Sequence, residues 1–396
     1  MEQRRLTGKS HWYHETQSSL CPADPLPLVP EAAKVEDRFL LDLPLDDVNI
    51  AAHAPWCDAA RALIPSLLPD KRDVTRLHTL SVYDRLSAAL TVAQVCGVQR
   101  LCNHYAARLA PEPGPDSSRE SNRRLTLLTQ TARQLASQPT LIDSAARAQL
   151  EDAGLSVHDI VTFTQIIGFV GFQARAVALL QAQPGQPARW LPGIDMQQDA
   201  PASLFSAAES RWQPDLPLLR NPQFGGFLPA LEMGWASADQ QAAYNAALDE
   251  PLLQPMLSLL AHDASALAGL AALLVVLQRP EDAADAALVA LVSARINGSA
   301  SCFDEAALRL RDEPGLADAA RNGERALLAW SHNHPRARAI IQAMQMLTRA
   351  PARFGHAQLE PLTDAGFDAQ DALRLLAFGS ACGWINRLRL GLGVAA

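Results

Sequence analysis

Charge is scarce in this chain: Asp, Glu, Lys and Arg together make up 19% of 396 residues, below the ~25% usual in soluble proteins. A disordered tail or a charge-laced coiled coil is thereby excluded as the description of the whole. Basic charge is not in excess either, with 34 Lys and Arg against 42 Asp and Glu and a net charge of -8. The electrostatic footprint of a nucleic-acid-binding protein is therefore absent, and no nucleic-acid partner is expected. Apolar runs are short. The longest strongly apolar stretch, Ala264 to Leu277, is bounded by Asp263 and by Gln278-Arg279 and falls short of the ~20 residues of a membrane span, so no membrane segment is expected. The first twenty residues lack the apolar core and cleavage site of a secretory signal, which points to the cytoplasm. Six cysteines (Cys21, Cys57, Cys96, Cys102, Cys302 and Cys382) are too sparse for a disulfide scaffold and read as reduced. No phosphate loop, GxSxG elbow, HExxH helix or dinucleotide fingerprint occurs, which leaves nucleotide, hydrolase and zinc-protease chemistry without support, and no cofactor or metal is expected.

What is present is apolar residue, 48% of the chain, spaced for helices. Alternating β-branched or aromatic runs are rare, so the fold class reads as all-α. Helices are predicted over Val82 to Cys96, Ser121 to Ala136, Val157 to Leu180, Pro280 to Ile296, Asp304 to Arg311, Pro335 to Thr348 and Asp368 to Leu392. Residues 1–34, rich in Pro and Ser, read as a partly disordered tail whose His11 and His14 are solvated. A second Pro-rich stretch, from Gln183 to about Pro222 and carrying Trp190 and Trp212, reads as an interdomain connection.

Comparing the chain with itself exposes a repeat. DAGLSVHD from Asp152 and DAGFDAQD from Asp364 lie 212 residues apart, and each is followed by a glycine, an aromatic and an arginine: Gly171, Phe172 and Arg175, then Gly383, Trp384 and Arg387. In both, the glycine should end a short helix, with Ser156 or Asp368 capping the next. Upstream, VCGVQRLCNHYAARL and RINGSASCFDEAALRL align on Cys102 and Cys302, a spacing of 200. Two copies of one helical unit are expected, over about residues 35–185 and 186–396. The repeated glycine and aromatic should let another helix approach, and the arginine should reach a carboxylate or solvent.

SARINGSASCFDEAALRLRD, with the helix before it, the DAG step and the closing GWINRLRLGLG, is similar to the signature of the alkylhydroperoxidase D and carboxymuconolactone decarboxylase family. The resemblance covers both halves and is strongest from about Pro280 to Gly393. It implies helical domains that assemble as homo-oligomers, here a trimer of tandem chains or a dimer. It also implies a site in which one Cys attacks peroxide, an upstream Cys resolves it, and Glu and His relay protons. The second copy departs from that set, carrying Ala287 for Glu, Ser299 for the first Cys, Cys302 for the second and Ala306 for His. With the alignment on Cys102, the first copy carries Ser87, Gln99, Cys102 and Ala106.

A CxxC cycle needs two thiols, so the dithiol relay is expected to be lost. Cys96 could serve Cys102 only if the helix broke at Gly97, because six helical residues span ~9 Å. Ser301 and Asp304 form a capping signature that would open a helix beside Cys302, where the dipole favours a thiolate. Arg100 and His104 flank Cys102.

Three functional readings follow. The first is a one-cysteine thiol peroxidase or redox sensor, with a small peroxide as substrate. The second is a non-catalytic module in which both sulfurs are buried hydrophobes, serving oligomerisation or binding a small apolar ligand. The third is cofactor-free lactone or decarboxylase chemistry, for which Arg175, Asn386 and Arg387 are the motif-matched polar groups; Trp384 and His104 complete the candidate pocket residues. His53 with Cys57, and His332 with His334, have ligand-like spacing but no third partner.

Overall fold

The computed structural model describes residues 28–183, 195–205 and 228–394; the His11 to His14 run, Cys21, Trp190 and Trp212 lie outside them. Among the described residues the regular elements are all helical, as the apolar spacing predicts. In the first half they are α1 (Asp47–Arg61), α2 (Ile64–Leu67), α3 (Val82–Cys96), α4 (Gln99–Leu109), α5 (Arg119–Ser137), α6 (Ser144–Asp152) and α7 (Val157–Ala182). In the second they are α8 (Ala238–Ala246), α9 (Leu257–Leu260), α10 (Ala264–Leu277), α11 (Ala283–Asn297), α12 (Ala300–Arg309), α13 (Leu316–Arg321), α14 (Glu324–Trp330), α15 (Pro335–Arg349), α16 (His356–Asp364) and α17 (Ala369–Leu392).

Local chemistry sets the ends of these helices. Ser81 and Ser156 each form a reciprocal capping box, with Asp84 and Asp159, at the starts of α3 and α7, and Asp368 accepts from the Gln370 N–H at the start of α17. Gly97 ends α3 and Gly298 ends α11, both left-handed at φ +73° and +84°. Gly154 and Gly366 turn the chain at φ +81° and +86° before the two long helices. The order of elements recurs: α5, a 3-10 turn, α6 and α7 are matched by α15, a 3-10 turn, α16 and α17. The two 3-10 turns, Pro139–Leu141 and Pro351–Arg353, lie 212 residues apart. Helices α3 and α11, and the glycines that end them, are instead 201 apart.

That last spacing moves the alignment of the cysteines by one residue. Matched on the helix-ending glycines, Cys302 stands opposite Leu101, and Cys102 opposite Phe303. The first-half counterparts of Ala287, Ser299 and Ala306 become Leu86, Val98 and Tyr105 in place of Ser87, Gln99 and Ala106. The two cysteines are alike only in chemistry, whereas the glycines that must adopt positive φ hold equivalent places in the backbone.

Helices α7 and α17 pack against one another along their length and form the spine of the molecule. Nearly every residue of both is buried, and the main hydrophobic core draws on both halves of the chain. Helix α7 is long and apolar enough to cross a membrane, a property that the shorter Ala264–Leu277 stretch does not share, but its whole apolar window is buried inside the protein. The pair meets tightly at Gly168, where an added Cβ would lie 1.8 Å from Cδ1 of the Trp384 indole.

The close helix approach expected of the repeated glycines holds at Gly383, where an added Cβ would lie 3.2 Å from Ser293 Oγ of α11, and not at Gly171, where it would meet only Arg175 Nη1. Each leaves room for the arginine one turn on, whose Nη1 donates to its carbonyl, from Arg175 at 2.7 Å and Arg387 at 2.8 Å. Each guanidinium then crosses to the other half: Arg175 Nη2 donates to the Thr348 carbonyl at 2.6 Å, and Arg387 Nη2 to the Ala136 carbonyl at 2.8 Å. Ala136 and Thr348 are themselves 212 apart, in the last turns of α5 and α15. The arginines thus reach main-chain oxygens rather than carboxylates or solvent. Charged donors to carbonyls contribute about 1.5–3 kcal/mol each.

Parts of the segment read as a tail and of the Pro-rich connection are seated on the helices. Residues Pro30–Ala33 form a 3-10 turn against α4, and the Ala32 carbonyl accepts from His104. Within the Pro-rich connection, Gln197 and Ala200 donate main-chain hydrogen bonds to Arg349 and Ile296. Phe205 is buried, with Phe303 at 5.0 Å and the Arg295 guanidinium 4.7 Å above its ring.

One prediction follows from the turns. A Cβ at Gly298 would lie 2.1 Å from Thr140 Cγ2 and 2.9 Å from Ala200 Cβ, while one at Gly366 would meet nothing within 4 Å. Gly298→Ala combines left-handed strain of ~1–2 kcal/mol with overpacking of ~1–3 kcal/mol. Gly366→Ala carries the strain alone. Urea melts should rank them in that order, and equal losses would show that the Thr140 contact gives way freely.

Candidate functional site

Helix α11 ends at Gly298, the chain turns through Ser299, and α12 begins at Ala300, so Cys302 lies in the first turn of α12. This helix opens earlier than the Ser301 and Asp304 pattern implies, and Ser299 makes no side-chain cap. Ser301 Oγ instead accepts from Arg389 Nη1 at 3.2 Å. Ala287 from α11, Cys302 and Ala306 from α12, and Phe378, Cys382 and Asn386 from α17 line one narrow cavity with room for about one water molecule. Three positions that the resemblance assigns to catalysis therefore face a common space, while Ser299, also buried, makes no side-chain hydrogen bond.

The polar groups around Cys302 come from elements distant in sequence. Arg389, with no exposed surface, places its fork on Glu305, Nη1 to Oε1 at 2.7 Å and Nη2 to Oε2 at 2.9 Å, and also approaches the Leu252 carbonyl. Asn386 Oδ1 accepts from Asn297 Nδ2 at 3.1 Å and from Ser293 Oγ at 3.3 Å. Gln197 Nε2 donates to Asn297 Oδ1 at 3.0 Å, which extends this buried network toward Arg387.

Burial pushes the Cys302 thiol above its ordinary pKa. The Arg389 charge pulls it back and Glu305 opposes that pull. The resting group is a protonated thiol with a cation beside it. Cys382, in the same cavity, is raised by burial and further by the field of Cys302.

Among the described residues, the cysteines of the first half do not line the Cys302 cavity. Cys102 is buried and outside the cavity of the second half, and burial followed by the field of Cys96 raises its thiol strongly. The helix does break at Gly97, so the straight-helix separation of Cys96 and Cys102 does not apply; both are free thiols. Arg100 donates to the Leu41 carbonyl at 2.9 Å. His104 donates from Nδ1 to Ala32 O at 2.7 Å, and burial pushes its pKa down to about 4, leaving a neutral ring at pH 7. Neither residue is placed to hold a Cys102 thiolate. His104 and Gln99 border a surface crevice beside the N-terminal segment, apart from Cys102. Ser87 and Ala106 are buried in helix packing.

The remaining candidates divide by place. Asn386 belongs to the Cys302 cavity. Trp384, buried between Phe169 and Phe172, and the two clamp arginines belong to the seam between α7 and α17. With Arg175 and Arg387 committed to carbonyls, the residues proposed for lactone or decarboxylase chemistry do not converge on a substrate space. His334 stacks on Trp330 at 4.2 Å, and His53 meets Gln183 rather than a ligand set. Cys382, Arg389 and Glu305 were missed in the sequence reading. Nothing local marks a cysteine or an arginine on α17 as neighbours of α12. Compared with protein-family models and with curated proteins, the chain matches none, so the family resemblance rests on the residues and geometry above.

Proposed function

We propose that this protein is a degenerate relative of the alkylhydroperoxidase D family, built from two copies of its helical unit, and that its remaining chemistry is slow reduction of small hydroperoxides at Cys302. The observation that carries this reading is the convergence of Ala287, Cys302 and Ala306 on one cavity. The Cys302 thiolate attacks one peroxide oxygen, the O–O bond breaks, the leaving alkoxide takes a proton, and Cys302 becomes a sulfenic acid. A second thiol then condenses with it, releasing water; one further external thiol regenerates Cys302 from a mixed disulfide, and two regenerate both thiols from a disulfide within the chain, leaving as an external disulfide. Cys382 is the cavity's own source for that second thiol; otherwise a small external thiol supplies it. Arg389 stabilises the thiolate, in place of the absent proton relay. Assembly through copies of the chain, as trimers or dimers, belongs to the same reading and is checked by light scattering.

The test is exposure of the whole chain to a small alkyl hydroperoxide in the presence of a sulfenic-acid trap, read by mass spectrometry. The adduct is expected on Cys302 and not on Cys102, and it should increase in Cys382→Ser. Because burial holds the thiol above its usual range, the thiolate fraction, and with it the rate, should rise about tenfold per pH unit from pH 7 to 9. An unmodified Cys302, or a rate flat across that range, overturns the reading. The alternative, a non-catalytic binding or assembly module, is favoured by one observation, the replacement of the relay residues by Ala287 and Ala306, and an inert Cys302 would select it.

A further inference from the structure

Apart from the thiol cavity, one cluster of side chains has the chemistry of a ligand set. His78 lies in the loop before α3, and His158 and Asp159 lie in the first turn of α7. Their nearest ligand atoms all fall within 4.8 Å of one another. The two Nδ1 atoms are 3.2 Å apart. With metal–nitrogen bonds of ~2.05 Å, that separation subtends about 103° at a common ion, close to tetrahedral. Asp159 has no exposed surface; its Oδ2 accepts from the Thr79 N–H at 2.7 Å, while its Oδ1 is buried without a hydrogen-bond donor. That Oδ1 stands 3.8 Å from His158 Nδ1, which subtends a wider angle of about 135°.

We propose that His78 Nδ1, His158 Nδ1 and Asp159 Oδ1 form a binding site for one divalent transition-metal ion, with zinc the best fit. The donor set is two imidazoles and a carboxylate, the borderline mixture zinc accepts, and tetrahedral coordination leaves a fourth position for water. Both imidazoles are only partly buried, so the open side faces solvent. The outer oxygen contact is in place as well, since the Thr79 N–H holds the carboxylate through Oδ2 and leaves Oδ1 free to ligate. The ion supplies what the buried Oδ1 lacks, a positive partner. It also ties the loop ahead of α3 to α7, fastening two elements that lie 80 residues apart.

The test uses the full chain stripped with a chelator and titrated with zinc against a chromophoric competitor. One equivalent is expected to bind, at least ~30-fold more weakly in His78→Gln and in His158→Gln. Both substitutions leave the Asp159 cap of α7 intact, and thermal melts of the metal-free proteins verify folding. Cobalt substitution distinguishes the thiols as a source of binding: the proposed site gives a d–d spectrum without a thiolate-to-cobalt charge-transfer band. Zinc affinity unchanged by His78→Gln, a thiolate band, or no stoichiometric binding each overturns the proposal.

Discussion

Trp384→Ala should lower the unfolding free energy by about 3–5 kcal/mol, the range for removing a fully buried large aromatic. Trp384 is 1% exposed, lies 5.8 Å from Phe169 and 6.3 Å from Phe172 between ring centroids, and rests against the backbone at Gly168. It locks α17 to α7, the pair that joins the two halves of the chain. A loss of this size is a large share of the ~5–15 kcal/mol that domains usually possess. The converse change, Gly168→Ala, puts a Cβ 1.8 Å from an indole carbon that packing does not allow to move. It should be destabilising when alone and much less so in the Trp384→Ala background, where the added methyl enters the vacated space. Urea melts of the four proteins measure the coupling. Additive losses would mean that the ring does not bear on Gly168.

Arg389→Met should act on both stability and the thiol. Its guanidinium is fully buried and paired through both nitrogens with Glu305, whose side chain is 31% exposed. Breaking a buried pair costs ~3–5 kcal/mol, and the partial exposure of Glu305 brings the expectation to about 2–3 kcal/mol. Burial works against the Arg389 charge, but Cys302 and Glu305 more than offset it, so this cation is the one favouring a Cys302 thiolate. Its loss leaves Glu305 unopposed beside the sulfur and raises the thiol further. One pKa unit is a factor of ten in thiolate, so alkylation and peroxide oxidation of Cys302 at pH 8 should slow by about tenfold. Glu305→Gln should move the rate the other way, because Arg389 then faces the thiol alone. Parallel slowing in both variants would assign the effect to disrupted packing rather than to charge.

The helices were legible because their signals are local. Ser81 with Asp84, Ser156 with Asp159, and the glycines at 97, 154, 298 and 366 each satisfy or free backbone groups within one turn, so their consequences can be read from a few neighbouring letters. The registration of the two halves was legible only to within a residue, since Cys102 and Cys302 match as letters while Gly97 and Gly298 match as backbone. The candidate site was half visible. Ala287, Ser299, Cys302 and Ala306 share neighbouring helical segments, whereas Cys382, Asn386 and Arg389 reach them from α17.

The amino-acid order by itself determined that the chain is helical and where most helices stop. Only the tertiary structure decided which groups surround that thiol, that Arg175 and Arg387 grip carbonyls across the seam, and that His78 meets His158 and Asp159. Capping and apolar periodicity act over a few residues, while a side chain's neighbours depend on how helices many residues apart are packed. The same arginine reads as a ligand, a surface charge or a clamp until the opposing helix is in place.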